Sequence, residues 1–315
     1  MTPVFKNDFW ALARENKGYY GWARKVRWQL HRALPRRYWQ NCPICGEAVD
    51  SIELVQRLFE NGLGLHPLLD IAFEAFARAE VRLGLRFVPQ KSHEERLTGH
   101  LISELEAAIQ MSSELFTREA VTRYNEPLHI DFVYSDLSRG GHLEKMTGGD
   151  FGLILVVDLP DRPKITRYAA FQSKRLNGSG STSLNKLQFD TLTKNFGNAS
   201  TYLFYDCDFS TLGPPMVMRA TNFESLRNSK ESTESFATNQ SGVFDQGLPL
   251  SLWLLTELGT AKAGESARDF QSAMEIFTQF DHTNKECSLS RLAMVSIGRK
   301  FTVTPDTELG LRVNL

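Results

Sequence analysis

The sequence predicts a mixed α/β fold in which helices flank a central sheet, with a helical region before it and a helical extension after it. Three observations predict this. Two apolar runs, "GGDFGLILVVDLP" and "KITRYAAFQSKR", are of strand length and lie a short gap apart. Long stretches on either side repeat their apolar residues every three or four positions, the period of a helix. With 315 residues, 42% of them hydrophobic and 23% charged, the chain can bury a real core.

Each element has a local reason. "NDFWALARENKGYYGWARKVRWQLHRALPRRYW" reads as two helices broken at Lys17-Gly18, the second ended by Pro35. The turn "NCPICGEAVD" follows. "SIELVQRLFENGLG" and "HPLLDIAFEAFARAEVRLGL" carry helical periodicity. From residue 93, "HEERLTGHLISELEAAIQMSSELF" predicts a long amphipathic helix with Leu97, Leu101, Ile102, Leu105 and Ile109 on one side. "LHIDFVYSDLS" is a strand. "GGDFGLILVVDLP" is a glycine turn running into a strand, and "KITRYAAFQSKR" returns as its hairpin partner. "NGSGSTS" is a loop, Ser183 to Phe196 a helix, and "STYLFYDCDF" a further strand. Beyond it, "FESLRNSKESTESFATNQSGVFDQG" is polar and loop-like, while "LPLSLWLLTELGTAKAG" and "SARDFQSAMEIFTQF" read as helices. Three regions follow: a helical, basic and aromatic 1–90, an α/β core over 91–215, and a C-terminal extension, 216–315, packed on that core.

Composition excludes some classes. No run of about 18 apolar residues exists, so a membrane-spanning helix is not expected. The first 30 residues lack an apolar signal core, and four cysteines do not make a secreted disulfide scaffold, which points to the cytoplasm. A net charge of −1 hides an asymmetry. Residues 1–41 hold nine Lys/Arg against two Asp/Glu, a balance of +7, with four of the five tryptophans; the rest of the chain balances at −8.

The middle segment places polar residues at strand and helix ends. Glu94 and Glu95 open the long helix, Glu144 precedes "TGGD", Asp150 starts one apolar strand, and Gln172 and Lys174 finish the next. Gln172 and Lys174 are two apart and so share a face of their strand. A hairpin sets the start of one strand beside the end of the other, which brings Asp150 to Gln172 and Lys174. Carboxylates and an amide oxygen are the hard ligands that Mg²⁺ takes, and a lysine ammonium can orient a water or stabilise charge on a phosphate. The same residues have structural readings: a turn-forming Asp, an edge-strand Lys, and acids favoured at a helix N-terminus. The glycine-rich loop at 177–181 matches neither phosphate-cradle pattern; Lys186 and Gln188, on the helix after it, could reach a phosphate.

In order and spacing, "GGDFGLILVV…YAAFQSKRL" resembles the PD-(D/E)XK nuclease superfamily, in the D…QxK variant where Gln stands for the second acid. "EERLTGHLISEL" resembles the acidic first helix of its E…T…LL type, and "EKMTGGDFGL" and "STYLFYDCDFSTLGPP" look like QxK relatives among bacterial restriction and phage-defence nucleases. The resemblance covers roughly residues 93–215. It implies a restriction-endonuclease-like core and a Mg²⁺- or Mn²⁺-dependent cleavage of double-stranded DNA in bacterial anti-phage defence. Asp150 would ligate metal, Gln172 would supply an oxygen, and Lys174 would activate or position the water. Glu95, or Glu94 beside it, would complete the metal shell, with Glu144 a secondary candidate. It also implies partner proteins of a defence system and a homo-oligomer. The departure at Gln172 supports an alternative: a catalytically inactive, nuclease-like module that binds nucleic acid or protein.

"CPICG" is half of a zinc knuckle: Cys42 and Cys45 have the spacing to share one Zn²⁺, and His282 and Cys287 of "FDHTNKEC" are candidates for the other half. His31, His66 and Cys207 are further candidates, and a metal-free turn is the structural alternative. In the basic arm, Arg24, Lys25, Arg27, Arg36 and Arg37 are candidate phosphate contacts, as is Arg175 at the strand end. A solvated helical hairpin accounts for the arm as well, and an interfacial membrane helix is the weaker reading.

Overall fold

The computed structural model describes residue 26 and residues 50–88, 92–136, 147–176, 181–206, 213–224, 234–278, 289 and 291–300. Three helices lead. Helix α1 (Ser51–Asn61) is capped by the Asp50 carboxylate, which accepts from the Ile52 N–H at 3.2 Å. Helix α2 (Pro67–Arg86) starts with Pro67 after an N-cap His66, and buries residues on all sides, Phe73 and Phe76 among them. Helix α3 (Glu94–Tyr124) opens on two acids and ends at Asn125, which takes the left-handed conformation. Its buried stripe runs Leu97, Leu101, Leu105, Ile109, Phe116, and it packs on α2 and on the sheet.

The strands β1 (His129–Asp136), β2 (Phe151–Asp158) and β3 (Ile165–Leu176) follow. β2 and β3 form the antiparallel hairpin that the sequence predicts, in register from Phe151↔Phe171 to Val157↔Ile165. A short β4 (Ser181–Asn185) leads into helix α4 (Lys186–Phe196), where Asn185 caps the first turn by accepting from the Gln188 N–H at 2.9 Å. β5 (Ser200–Asp206) then pairs parallel to the last residues of β3, Gln172 opposite Tyr202 and Lys174 opposite Phe204. β2 and β5 are almost wholly buried, as near-continuous apolar strands inside a two-faced sheet must be.

The C-terminal third differs from the sequence reading. The two segments read as helices are helical at Leu250–Trp253, continued by a π-helical turn at Leu254–Leu258, and at Phe270–Thr278. The region also supplies strands β6 (Met216–Arg219), β7 (Ser235–Asn239), β8 (Leu248–Pro249), β9 (Glu265–Ser266) and β10 (Arg291–Gly298). The stretch read as a polar loop holds β7, which pairs with β4, and helix α5 (Gln240–Gln246). The sheet order is β1-β10-β2-β3-β5-β6-β8, with β9 against β3. β10 lies between β1 and β2, parallel to β2, so the 216–315 region completes the central sheet instead of only packing on it. Helix α6 (Leu250–Trp253) and helix α7 (Phe270–Thr278) complete the described helices.

The result is a mixed sheet with helices on both faces. α3 covers the face of Ser173 and Tyr205; α4 and α7 cover the face of Gln172, Gly152 and Tyr202. No described helix is long and apolar enough to cross a membrane.

Candidate metal centre at the end of strand β3

β3 outruns its hairpin partner. The ladder with β2 stops at Phe151↔Phe171, while β3 continues to Leu176 and keeps β5 on its other edge. The amides on the β2 side beyond Phe171 therefore need other acceptors. Two carboxylates supply them. Asp150 accepts from the Ser173 N–H at 2.6 Å, and Glu94 accepts from the Arg175 N–H at 3.0 Å. Alternate amides of a strand lie roughly 7 Å apart, so the two acids stand side by side along one strand edge.

Asp150 is held from three directions. Its own N–H donates to the Phe171 carbonyl at 2.7 Å, and its carboxylate also accepts from the Gln172 side-chain amide at 3.0 Å. The turn before it lies against helix α4. A Cβ on Gly148, where φ is +73°, would come within 2.6 Å of the Gln188 carbonyl and 2.7 Å of the Leu192 nitrogen. Only glycine combines that backbone conformation with so close an approach. "TGGD" thus sets the position of the carboxylate as well as the turn.

Glu94 is placed through hydroxyls. Thr98, one turn on, bonds the Glu94 carbonyl at 2.9 Å and meets Ser173 Oγ and Tyr205 Oη, each at 3.0 Å, in a buried three-hydroxyl group. This fixes the first turn of α3 against the ends of β3 and β5. Glu94 is half-buried at the strand edge, whereas Glu95 is exposed. Of the adjacent acids, Glu94 is therefore the one brought to the cluster.

Lys174 follows Gln172 on the same face. Its ammonium donates to the Gln188 amide oxygen of α4 at 3.1 Å, which holds it half-buried beside the cluster. Arg175 points to the other face, where its guanidinium donates to the Ser92 carbonyl at 3.1 Å. Tyr202, paired with Gln172 across the β3–β5 ladder, is fully buried; its ring stacks near Phe189 of α4. Burial, with the negative charges of Asp150 and Asp190, pushes its phenol well above the ordinary tyrosine range, so it stays protonated.

The structure thus brings together Asp150, Gln172, Lys174 and Glu94. Sequence reasoning missed Tyr202 and the grip of Gln188 on Lys174. The residue parity of β3 and β5 carries a signal for Tyr202, since both strands are parallel neighbours with alternating faces. Glu144, Cys42, Cys45, His282, Cys287, His31, Cys207 and the arm residues Arg24, Lys25, Arg27, Arg36 and Arg37 lie outside the described residues. His66 is committed elsewhere: its Nδ1 accepts from the Leu68 N–H at 3.2 Å and its Nε2 meets Tyr124 Oη at 2.7 Å. An open groove of about 670 Å³ between α3 and β1, lined by Thr117, Arg118 and His129 among others, shares no residue with the cluster.

The oxygen atoms here are of the kind a hard divalent cation takes, but the Gln172 amide turns its nitrogen, not its oxygen, to Asp150. Asp150, Glu94 and the Gln172 amide are oxygen donors, and the Gln172 oxygen is buried with no hydrogen-bond partner among the described residues. No group of three or more His, Cys, Asp and Glu residues is gathered for a metal among the described residues, so the amide oxygen and solvent would have to complete the shell. No family model matches the chain, and no curated protein or solved structure matches it significantly.

Proposed function

We propose that the chain is a Mg²⁺-dependent deoxyribonuclease with a restriction-endonuclease-like core. One observation carries the reading: where β3 outruns β2 the Asp150 carboxylate meets the Gln172 amide at 3.0 Å, with Lys174 next on the same face and Glu94 on the same edge. The helix–strands–helix–strand order over residues 94–206 supports the same reading.

In this reading Asp150, Gln172 and Glu94 hold the ion. When bound, it supplies Lewis acidity toward a phosphoryl oxygen. Lys174 contributes a fixed positive charge. Held by Gln188, it orients the attacking water and offsets the negative charge that grows on the phosphate in the transition state. The buried hydroxyls of Thr98, Ser173 and Tyr205 tie the first turn of α3, which carries Glu94, to β3 and β5, so the placing of that acid is set before substrate arrives. The substrate is double-stranded DNA, in a defence setting with partner proteins and a homo-oligomer that cuts both strands. The basic arm provides phosphate contacts.

A second reading keeps the fold and drops the chemistry. Both Asp150 oxygens accept N–H donors, as in a site that needs no ion, and this favours a binding module. Plasmid incubated with protein and Mg²⁺ or Mn²⁺ separates the two. Cleavage by the wild type that disappears in both Asp150→Ala and Lys174→Ala supports the nuclease. Plasmid binding without cleavage, equal in all three proteins, supports the binding module and ends the nuclease reading.

A further inference from the structure

A second polar cluster lies at the other end of the β2–β3 hairpin, away from Asp150. There α2 begins, α3 ends and β2 turns into β3, and His66, Tyr124 and Asp161 stand at these three places. His66 is buried and Asp161 is exposed. The His66 Nδ1 accepts from the Leu68 N–H at 3.2 Å and so caps the first turn of α2. Its Nε2 lies 2.7 Å from Tyr124 Oη and 3.3 Å from Asp161 Oδ2, and the Tyr124 hydroxyl bonds the same carboxylate.

These contacts fix the tautomer. A backbone N–H can only donate, so Nδ1 keeps its lone pair and the neutral ring carries its proton on Nε2. Donors then run one way: Leu68 N–H to Nδ1, Nε2–H to Tyr124 Oη, and the Tyr124 hydroxyl to Asp161. A second proton can go only on Nδ1, the atom that faces the Leu68 N–H. It would turn the cap's acceptor into a donor aimed at a donor. The charges around the ring pull both ways. Burial disfavours the imidazolium, as does Arg162 of the β2–β3 turn; Asp161 favours it, and Arg123 of α3 opposes it again. The balance holds the ring below the ordinary histidine range. On α2 itself, Asp70 turns to the Leu63 N–H at 2.7 Å, and burial pushes its carboxyl up to about 6.

We propose that His66 is an acid-sensitive latch: neutral, it caps α2 and ties its first turn to the end of α3 and to the β2–β3 turn; protonated, it releases the Leu68 N–H and opens the start of α2. The latch is independent of the metal-centre reading. A folded-state pKa below the unfolded value means that the opened form binds the extra proton. The closed latch is therefore at full strength above about pH 6.5 and weakens as pH falls below it. Asp70 acts in the opposite sense. Its folded-state pKa is raised, so its contribution is full below about pH 3.8 and is lost as pH rises through about 6. A control that keeps Asp70 and removes the imidazole separates the two.

His66→Asn is that control, because asparagine caps a helix as well and does not titrate near neutrality. The readout is hydrogen exchange of the Leu68 amide in the full chain, expressed as protection relative to the intrinsic rate at each pH. Between about pH 7.5 and about pH 5.5 the wild type should lose more protection than His66→Asn, by up to about tenfold. An equal loss in the two proteins, or a larger one in His66→Asn, overturns the proposal. A measurement on the wild type alone keeps the proposal falsifiable if the variant does not fold. At about pH 7.5 the ¹⁵N signals of the His66 ring should show a protonated Nε2 and a bare Nδ1. A proton on Nδ1 at that pH overturns the proposal, since the ring could not then accept from Leu68.

Discussion

Replacing Gly148 with alanine probes how the Asp150 carboxylate is placed. The φ of +73° makes any side chain strained, by about 1–2 kcal/mol. The added Cβ would also stand 2.6 Å and 2.7 Å from backbone atoms of α4, inside the 3.0 Å that real Cβ contacts respect. Backbone cannot rotate away as a side chain does, so the turn or the helix must move, at a further cost of about 1–3 kcal/mol. Gly64 is the control: its φ is +67° but a Cβ there meets nothing within 4 Å. Gly64→Ala should show the conformational cost alone. For 315 residues the unfolding entropy is roughly 0.66 kcal/mol per degree, so the extra clash of about 2 kcal/mol lowers the Tm of Gly148→Ala by about 3 °C below that of Gly64→Ala. The assay is thermal unfolding of both variants, followed by Mn²⁺ calorimetry. Gly148→Ala should bind Mn²⁺ more weakly than Gly64→Ala because Asp150 moves with the turn. Equal Tm and equal Mn²⁺ affinity in the two variants would refute the idea that close packing of this turn on α4 places the acid.

Other consequences can be measured separately. Thr98→Val keeps the shape but removes the hydroxyl that meets Ser173 and Tyr205, and should cost about 1–3 kcal/mol in urea unfolding; a loss within error of zero would show the hydroxyl group does not tie α3 to the sheet. Glu80 is fully buried against Ser251, and burial pushes its carboxyl up to about 8. A folded-state pKa above the unfolded value means that the folded chain binds the extra proton. Stability from this group is thus full below about pH 4.5 and falls as pH rises through about 8. Tm against pH should slope downward over that window in the wild type and flatten in Glu80→Gln; parallel curves would remove Glu80 as the cause. Gln172→Glu adds a charged oxygen beside Asp150, so Mn²⁺ affinity should rise by roughly tenfold while the metal-free Tm falls from carboxylate repulsion. Weaker Mn²⁺ binding in that variant would argue against Gln172 as a ligand.

Much of the core is legible in local pattern. The β2–β3 hairpin follows from two apolar runs and a short gap, and the pairing of Asp150 with Gln172 follows from the hairpin alone. Helix α3 follows from its periodicity, which also contains the choice between its acids: Glu94 is three residues before Leu97 and seven before Leu101, on the buried side, whereas Glu95 falls on the exposed side. The middle of the sheet is not legible in the same way. "RLAMVSIG" has strand character, but nothing local says that it inserts between β1 and β2, more than 130 residues earlier in the chain. Long-range pairing depends on which edges remain open once the rest has folded. The β4–β7 pair is hidden for a similar reason: polar strands such as "SFATN" lack the apolar alternation that marks a strand, and gain their order from each other. The place of Tyr202 opposite Gln172 depends on the β3–β5 register, which "STYLFYDCDF" alone does not carry.

The most direct test of a divalent-metal centre at the end of β3 is anomalous diffraction from crystals soaked in Mn²⁺. The expected result is an anomalous peak within bonding distance of Asp150 Oδ1 and the Gln172 amide oxygen, absent from Asp150→Ala crystals. No peak at these two residues, with Mn²⁺ bound elsewhere or not at all, would contradict it.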